Sequence, residues 1–193
     1  MHNIVCNYIN IPVCLSTGAT TSGKRLLAMV DIRDTLGHPR HEQFYDYWRE
    51  KSPGPGLLPG RQHIDPIDIP LLMPWIFLID VVRDGDRNRY RHRLVGTQIA
   101  EWIGYDTTGK FYDELHDEAY LSWLMPSYDK VVQSREPHFH APEVGMPLTE
   151  EIQQLRYSRL LCPFAADGQS VDMLAAMFVF YDKDGEEMPP GGV

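Results

Sequence analysis

Residues 75 to 82 read Trp-Ile-Phe-Leu-Ile-Asp-Val-Val, and this nearly continuous apolar run constrains the fold more than any other feature of the chain. In a β-strand, successive side chains point to opposite faces. Apart from the aspartate, the set that begins with Trp75 and the set that begins with Ile76 are both apolar. We therefore predict a strand whose sheet is covered on both faces by other elements.

A second strand follows over residues 89–95, after the turn Asp84-Gly85-Asp86, so the pattern predicts an antiparallel hairpin. Alternation gives this strand two chemically different faces. One face carries Arg89, Arg91 and Arg93, and the other carries Tyr90, His92 and Leu94. We expect the arginines to point outward and the other three side chains to point toward the helices.

The last third of the chain predicts three more antiparallel strands, over residues 137–144, 154–164 and 172–182. The segment Ala166-Asp167-Gly168-Gln169 is typical of a turn between the last two. The resulting order of elements is two strands, helices, then three strands. The sequence thus indicates an α+β domain.

Two helices are predicted between the hairpin and the last three strands. The first covers residues 98–103, with Thr97 as its cap and Gly104 as its stop. The second covers residues 117–135, and Pro126 is expected to bend or restart it.

The segments before the hairpin contain two further predicted helices. Pro39 suits the start of a helix over residues 38–51, and Asp65-Pro66 suits the start of a short helix over residues 66–73. Residues 1–37 have no sustained period, and we treat them as an N-terminal arm of uncertain structure. The domain proper is expected to span residues 38–182. The remaining residues 183–193 are polar, rich in Gly and Pro, and expected to form a loose tail.

Composition excludes several classes of protein. Asp and Glu outnumber Lys and Arg by 27 to 18, and the formal net charge is −9, which argues against a nucleic-acid binder. The run from Ile69 to Ile79 is too short to span a membrane, and no basic residue precedes Lys24 as a signal peptide would require. The three cysteines, an odd number without a CxxC pair, suit a reducing compartment. We expect a soluble cytoplasmic protein.

Several short motifs resemble those of PAS domains. The helix region carries Trp102-Ile103-Gly104-Tyr105, then Gly109-Lys110, then Leu115-His116. Segments similar to the PAS_5 group of proteobacterial PAS proteins are Phe44-Tyr45-Asp46-Tyr47-Trp48, Pro59-Gly60-Arg61, Ile64-Asp65-Pro66, residues 77–82 and residues 90–97. The resemblance covers about residues 40–182. It implies a five-stranded antiparallel sheet with helices inserted between strands 2 and 3, plus an N-terminal flanking helix.

The resemblance also implies a binding function. In known PAS domains the space between sheet and helices holds haem, flavin or a small metabolite. The residues expected around that space are Tyr90, His92, Leu94, Trp102, Tyr112, Trp123 and Tyr128. The cofactor or ligand is unknown, and the same residues would also suit a packed core. We expect a stand-alone sensor or adaptor that signals, without catalysis, through an unidentified signalling protein.

A homodimer is the expected assembly. On the helix over residues 38–51, an acidic stripe runs beside an apolar stripe of Phe44, Tyr47 and Trp48. The flanking helix of PAS proteins commonly joins two subunits. We expect those three residues to form the interface, because a monomer would leave the apolar stripe exposed.

Two enzyme classes remain as alternatives. Residues 18–24 match all but the last position of a phosphate-binding P-loop, but Arg25 stands where Ser or Thr would hold Mg²⁺. His138 and His140 are two residues apart on a predicted strand, so they share a face and could hold a metal together. A metal-dependent enzyme that uses this pair is therefore the alternative function. The pair could also be ordinary histidines of a strand that bind no metal.

Overall fold

A computed structural model describes residues 31–144 and 156–189 of the chain. It contains one antiparallel sheet of five strands: β1 (Ile76–Asp84), β2 (Arg87–Val95), β3 (His138–Val144), β4 (Arg156–Phe164) and β5 (Met173–Tyr181). The order across the sheet is β2-β1-β5-β4-β3, so the last strand lies at the centre. The helices of the described residues are α1 (Pro39–Glu50), α2 (Thr97–Ile103), α3 (Tyr112–Leu115) and α4 (Glu118–Ser134). The predicted α+β class, with helices between strands 2 and 3, is confirmed.

The central strands are buried on both faces, as the apolar run of β1 predicted. Six consecutive residues of β1, Ile76 to Val81, are buried, and so is β5 from Met173 to Phe180. We call the face that carries Phe77, His92 and Arg159 the inner face; α3 and α4 cover it. The opposite, outer face carries Ser158 and is covered by α1.

A β-bulge in the hairpin corrects the predicted position of Leu94. Gly85, with φ of 60°, makes the tight turn, and Tyr90 and His92 pair with Val81 and Ile79 as simple alternation requires. The register then shifts, and Leu94 pairs with Leu78 on the outer face. Because a bulge inserts one residue in one strand only, the side chains beyond it change faces. The expectation that Leu94 shares a face with Tyr90 and His92 is wrong.

Helix α1 covers the sheet of its own chain. Pro39 occupies its first turn, and the ring of His38 caps it by accepting a hydrogen bond from the Arg40 amide. Phe44 is only 1% exposed and Tyr47 only 8% exposed. The premise that a monomer leaves this apolar stripe exposed is therefore wrong, because β4 and β5 already bury it. Trp48 is half-buried and donates its indole N–H to the carbonyl of Pro163 at 2.8 Å.

The short helix predicted over residues 66–73 is not formed. Residues 66–72 make successive turns, and a single 3₁₀ turn follows at Met73–Trp75. The carboxylate of Asp65 accepts a hydrogen bond from the Ile67 amide, which closes a local turn instead of starting a helix. Pro70 has no amide hydrogen to continue a helical ladder.

Helices α2 and α4 match their predicted positions closely. Gly96, rather than Thr97, is the N-cap of α2. A Cβ at residue 96 would lie 2.3 Å from the carbonyl oxygen of Pro74, so this close approach requires glycine. Gly104, with φ of 87°, ends that helix. Helix α4 continues through Pro126 as one element instead of restarting there.

Over its described part, the C-terminal segment contacts the central strand and the α1 region. Beyond β5 the chain turns at residues 182–186, and Met188 donates its amide to the carbonyl of Phe180 at 2.9 Å. Glu187 forms an ion pair with Arg40 and a hydrogen-bond contact with Nε2 of His38. Residues 1–30 of the predicted arm, which include its P-loop-like segment, lie outside the described residues.

Candidate ligand site on the inner sheet face

A row of four buried polar side chains crosses the inner face beneath α3 and α4. The His92 ring lies 4.2 Å from the Tyr112 ring, centroid to centroid, and the Tyr112 ring lies 5.5 Å from that of Tyr128. The guanidinium of Arg159 lies 5.0 Å from the Tyr128 ring. We call these four residues the inner row. Strands β2 and β4 supply its ends, and α3 and α4 supply its middle.

His92 forms one end of the inner row. Its Nδ1 lies 2.6 Å from the hydroxyl oxygen of Thr107, and both residues are 2% exposed. Its Nε2 is buried and has no hydrogen-bond partner among the described residues. Burial, with a smaller effect from nearby His116, lowers the pKa of His92 to about 4, so the ring is neutral near pH 7.

The two tyrosines in the middle are joined through their hydroxyl groups, which lie 2.9 Å apart. Burial raises the pKa of Tyr112 well above its usual value, so its hydroxyl keeps its proton. Beside them, Tyr90 donates a hydrogen bond of 2.5 Å to the carboxylate of Asp129, tying β2 to α4. The middle of the row is thus aromatic and uncharged.

Arg159 forms the other end. It pairs across the sheet with His140 and Phe178, and it is 2% exposed. Its Nη2 donates to the Ser127 hydroxyl at 2.8 Å, whereas its Nε is buried without a partner in the described ranges. On the neighbouring strand, Nδ1 of His138 is likewise buried and unpartnered. This end therefore combines a buried positive charge with unsatisfied hydrogen-bonding groups.

Comparison with known proteins identifies the family. A family model described as PAS_5, PAS domain, matches residues 36–178. This chain belongs to that family of PAS domains. No curated protein and no solved structure matches it significantly. The matched region begins before α1 and ends within β5, so α1 lies within the family region together with the sheet.

Only some of the predicted pocket residues come together in the PAS domain. Tyr90, His92, Tyr112 and Tyr128 come together on the inner face, as described above. Trp102 lies at one end of that face, half-buried and stacked on Phe180 at 5.3 Å, with its indole N–H buried and unpartnered among the described residues. Trp123 is 45% exposed and contacts the edge of His140, so it does not line the inner row. Whether any of these residues binds a ligand stays a prediction.

Sequence reasoning missed Thr107, Ser127 and Arg159. Arg159 carried a signal, because it is the single charged residue between Tyr157 and Phe164, a stretch that is otherwise apolar apart from Ser158. A charged residue in a strand predicted to be central is unusual unless it is paired or functional. Thr107 and Ser127 carried no signal, since their partners are remote in sequence.

His138 and His140 do share the inner face of the PAS domain, because they pair with Leu161 and Arg159 of β4. His140 packs its ring against Trp123 and Tyr157, at 5.8 and 5.4 Å. Within residues 31–144 and 156–189, no group of three or more His, Cys, Asp or Glu side chains is placed to hold a metal ion. His140 is thus built into an aromatic edge of the domain.

Two surface clefts lie outside the inner row. One, of about 610 Å³, follows the exposed side of α4 from Pro126 to Ser134, and the other, of about 500 Å³, lies between Trp48 and Pro59. Neither cleft is lined by His92, His138 or Arg159. We assign the candidate site to the inner row because buried polar atoms of these three residues lack partners among the described residues. In the part of the chain that the structure describes, no helix is long and apolar enough to cross a membrane.

Proposed function

We propose that this PAS domain is a non-enzymatic sensor that binds a small molecule at the inner row and passes the binding event to a signalling protein. PAS domains are sensory and signalling modules, and the family match covers most of this chain. The observation that carries the proposal is the pair of unpartnered buried atoms, Nε2 of His92 and Nε of Arg159, at the two ends of the row. The large majority of buried polar side-chain atoms in proteins have a hydrogen-bond partner, so two unpartnered atoms along one row favour a ligand there.

The aromatic rings pack closely, so ligand entry requires a displacement of a covering element. Helix α3 is suited to this, because it is a single turn of four residues between β2 and α4. Its Tyr112 fills the centre of the row. An outward shift of α3 breaks the hydroxyl contact between Tyr112 and Tyr128 and opens the space between the two polar ends.

Strand β4 offers a route from the site to the outer face. Arg159 lies on the inner face, and the adjacent Ser158 lies on the outer face, 2.8 Å from Nε2 of His41 in α1. A ligand that binds Arg159 and shifts β4 therefore also displaces Ser158, which contacts His41 of α1. A change in the seating of α1 is the output we propose, read by a partner protein or by a second copy of the chain. A homodimer itself stays a prediction, and its interface must lie elsewhere than at buried Phe44 and Tyr47.

Native mass spectrometry of freshly purified protein tests the ligand proposal. We expect a bound small molecule, lost in His92→Phe, which keeps a ring of similar size but removes both ring nitrogens. Tyr105→Phe is the matched control, because Tyr105 is 57% exposed and does not belong to the row. If wild-type protein carries no added mass, and no member of a metabolite library raises its melting temperature, then the inner row is ordinary core.

A further inference from the structure

We infer that the ligand of the inner row is a small molecule with one carboxylate, which binds Arg159, and an aromatic or apolar body. The inference rests on the proposed ligand site and narrows the chemical class of its ligand.

Arg159 is a buried cation without a counter-ion in the described residues. Seven other arginines pair with a carboxylate within 4 Å, although all are more exposed than Arg159: Arg33, Arg40, Arg49, Arg87, Arg89, Arg91 and Arg93. A guanidinium does not lose its proton in proteins, so burial cannot neutralise it. A buried charge without a partner is strongly unfavourable. An anion bound at this position would remove that cost.

The hydrogen-bonding groups around Arg159 leave room for an acceptor. The hydroxyl of Ser127 donates to the Leu124 carbonyl at 2.8 Å and accepts from Nη2 of Arg159, so its own hydrogen is already used. Nε of Arg159 remains as a buried donor without a partner among the described residues, and Nδ1 of His138 lies on the adjacent strand. A carboxylate suits a guanidinium edge, because its two oxygens can accept two parallel N–H bonds.

The remainder of the inner row defines the body of the ligand. From Arg159 the row continues through the rings of Tyr128 and Tyr112, which favour an aromatic or apolar group. Nε2 of His92 at the far end can make one further polar contact. A single buried cation balances a single negative charge, so a monocarboxylate fits this site better than a phosphate ester with about two charges.

Binding of benzoate and its neutral isostere benzamide tests the inference. We expect benzoate to raise the melting temperature of the wild-type protein in a concentration-dependent manner and benzamide to bind at least about tenfold more weakly, as loss of a charged hydrogen bond implies. Arg159→Met should abolish the difference between the two probes. Arg87→Met is the matched control, because the Arg87 side chain is 74% exposed and stands at the first residue of β2, next to the turn; it should leave both affinities unchanged.

A second measurement keeps the test independent of the choice of probe. After refolding from urea to remove bound compounds, Arg159→Met is expected to be at least as stable as wild type, because it deletes a buried charge that has no counter-ion among the described residues. A structural role for Arg159 predicts the opposite, a clear loss of stability. If Arg159→Met fails to fold, Arg159 is structural and the inference is wrong.

The outcomes separate this inference from the proposed function. Equal binding of benzoate and benzamide, or a neutral compound recovered from wild-type protein, leaves the ligand site intact but refutes the carboxylate. Failure of the wild-type protein to respond to benzoate also refutes it. The sensor proposal fails only if no compound at all binds in a manner sensitive to His92→Phe.

Discussion

Nη2 of Arg40 in α1 lies 2.7 Å from the carboxylate of Glu187, which lies beyond β5, so the beginning and the end of the domain are held together. His38, the N-cap of α1, reaches the other carboxylate oxygen of Glu187 at 3.2 Å. The contact joins the flanking helix to the segment that follows the central strand. It therefore bears directly on how firmly α1 is seated.

Replacing Glu187 by Gln should loosen this junction without unfolding the domain. The pair is partly exposed, and such pairs contribute about 0–1 kcal/mol to the free energy of unfolding. We expect a loss in that range by urea denaturation, together with faster amide exchange in the first turn of α1. Glu186→Gln is the control, because that side chain is exposed and forms no ion pair among the described residues. Equal exchange in both variants would contradict a role for Glu187 in seating the helix.

Truncation of Phe44 tests how α1 is used. Because Phe44 is 1% exposed within one chain, Phe44→Ala should lower the free energy of unfolding by about 3–5 kcal/mol. The exposed Leu71, at 83% exposure, provides the control Leu71→Ala, for which we expect almost no change.

Measurement at two protein concentrations separates folding from association. If α1 only covers its own sheet, the midpoint of unfolding of wild type and its shift in Phe44→Ala are independent of protein concentration. A midpoint that rises with concentration in wild type, together with dimers in light scattering, would show that association contributes. Trp48→Phe should lower the free energy of unfolding by about 0.5–1.5 kcal/mol, because it removes the hydrogen bond to the Pro163 carbonyl. This loss is expected whether the protein is a monomer or a dimer.

The buried histidines predict a loss of stability at acid pH. Burial lowers the pKa of His41 to about 3, with smaller effects from His38 and Arg40, and it lowers those of His92 and His138 to about 4. In the unfolded chain these rings take up protons near pH 6.5. The unfolded state therefore binds more protons than the folded state below that pH, and the stability present above about pH 6.5 is lost as the pH falls toward about 4.

Urea denaturation across this pH range measures the effect. Each histidine contributes at most about 1.4 kcal/mol per pH unit. His41→Phe should reduce the dependence of the free energy of unfolding on pH, because it removes one of these three histidines. The exposed control Leu71→Ala should leave that dependence unchanged. A slope that His41→Phe leaves unchanged would mean that folding does not lower the pKa of His41.

Gly96 tests the close approach that positions α2. A methyl group at this residue would meet the backbone of Pro74 at 2.3–2.5 Å, so Gly96→Ala should destabilise the domain by about 1–3 kcal/mol. Gly54→Ala is the matched control, since its nearest neighbour is a flexible Leu57 side-chain atom at 3.9 Å. Thermal unfolding of the two variants gives the comparison, and equal melting temperatures would show that the loop before β1 yields easily.

Local patterns in the sequence determined the strands, their order along the chain and the burial of β1. Alternation and turn residues such as Gly85 act over only a few neighbouring residues. They also placed Tyr90 and His92 on one face. The bulge that moves Leu94 to the outer face was decided by pairing with Leu78 on another strand. The burial of Phe44 and Arg159 depended on which helices pack over each face of the sheet. Such burial is a property of contacts between distant segments, and only the tertiary structure brings those segments together.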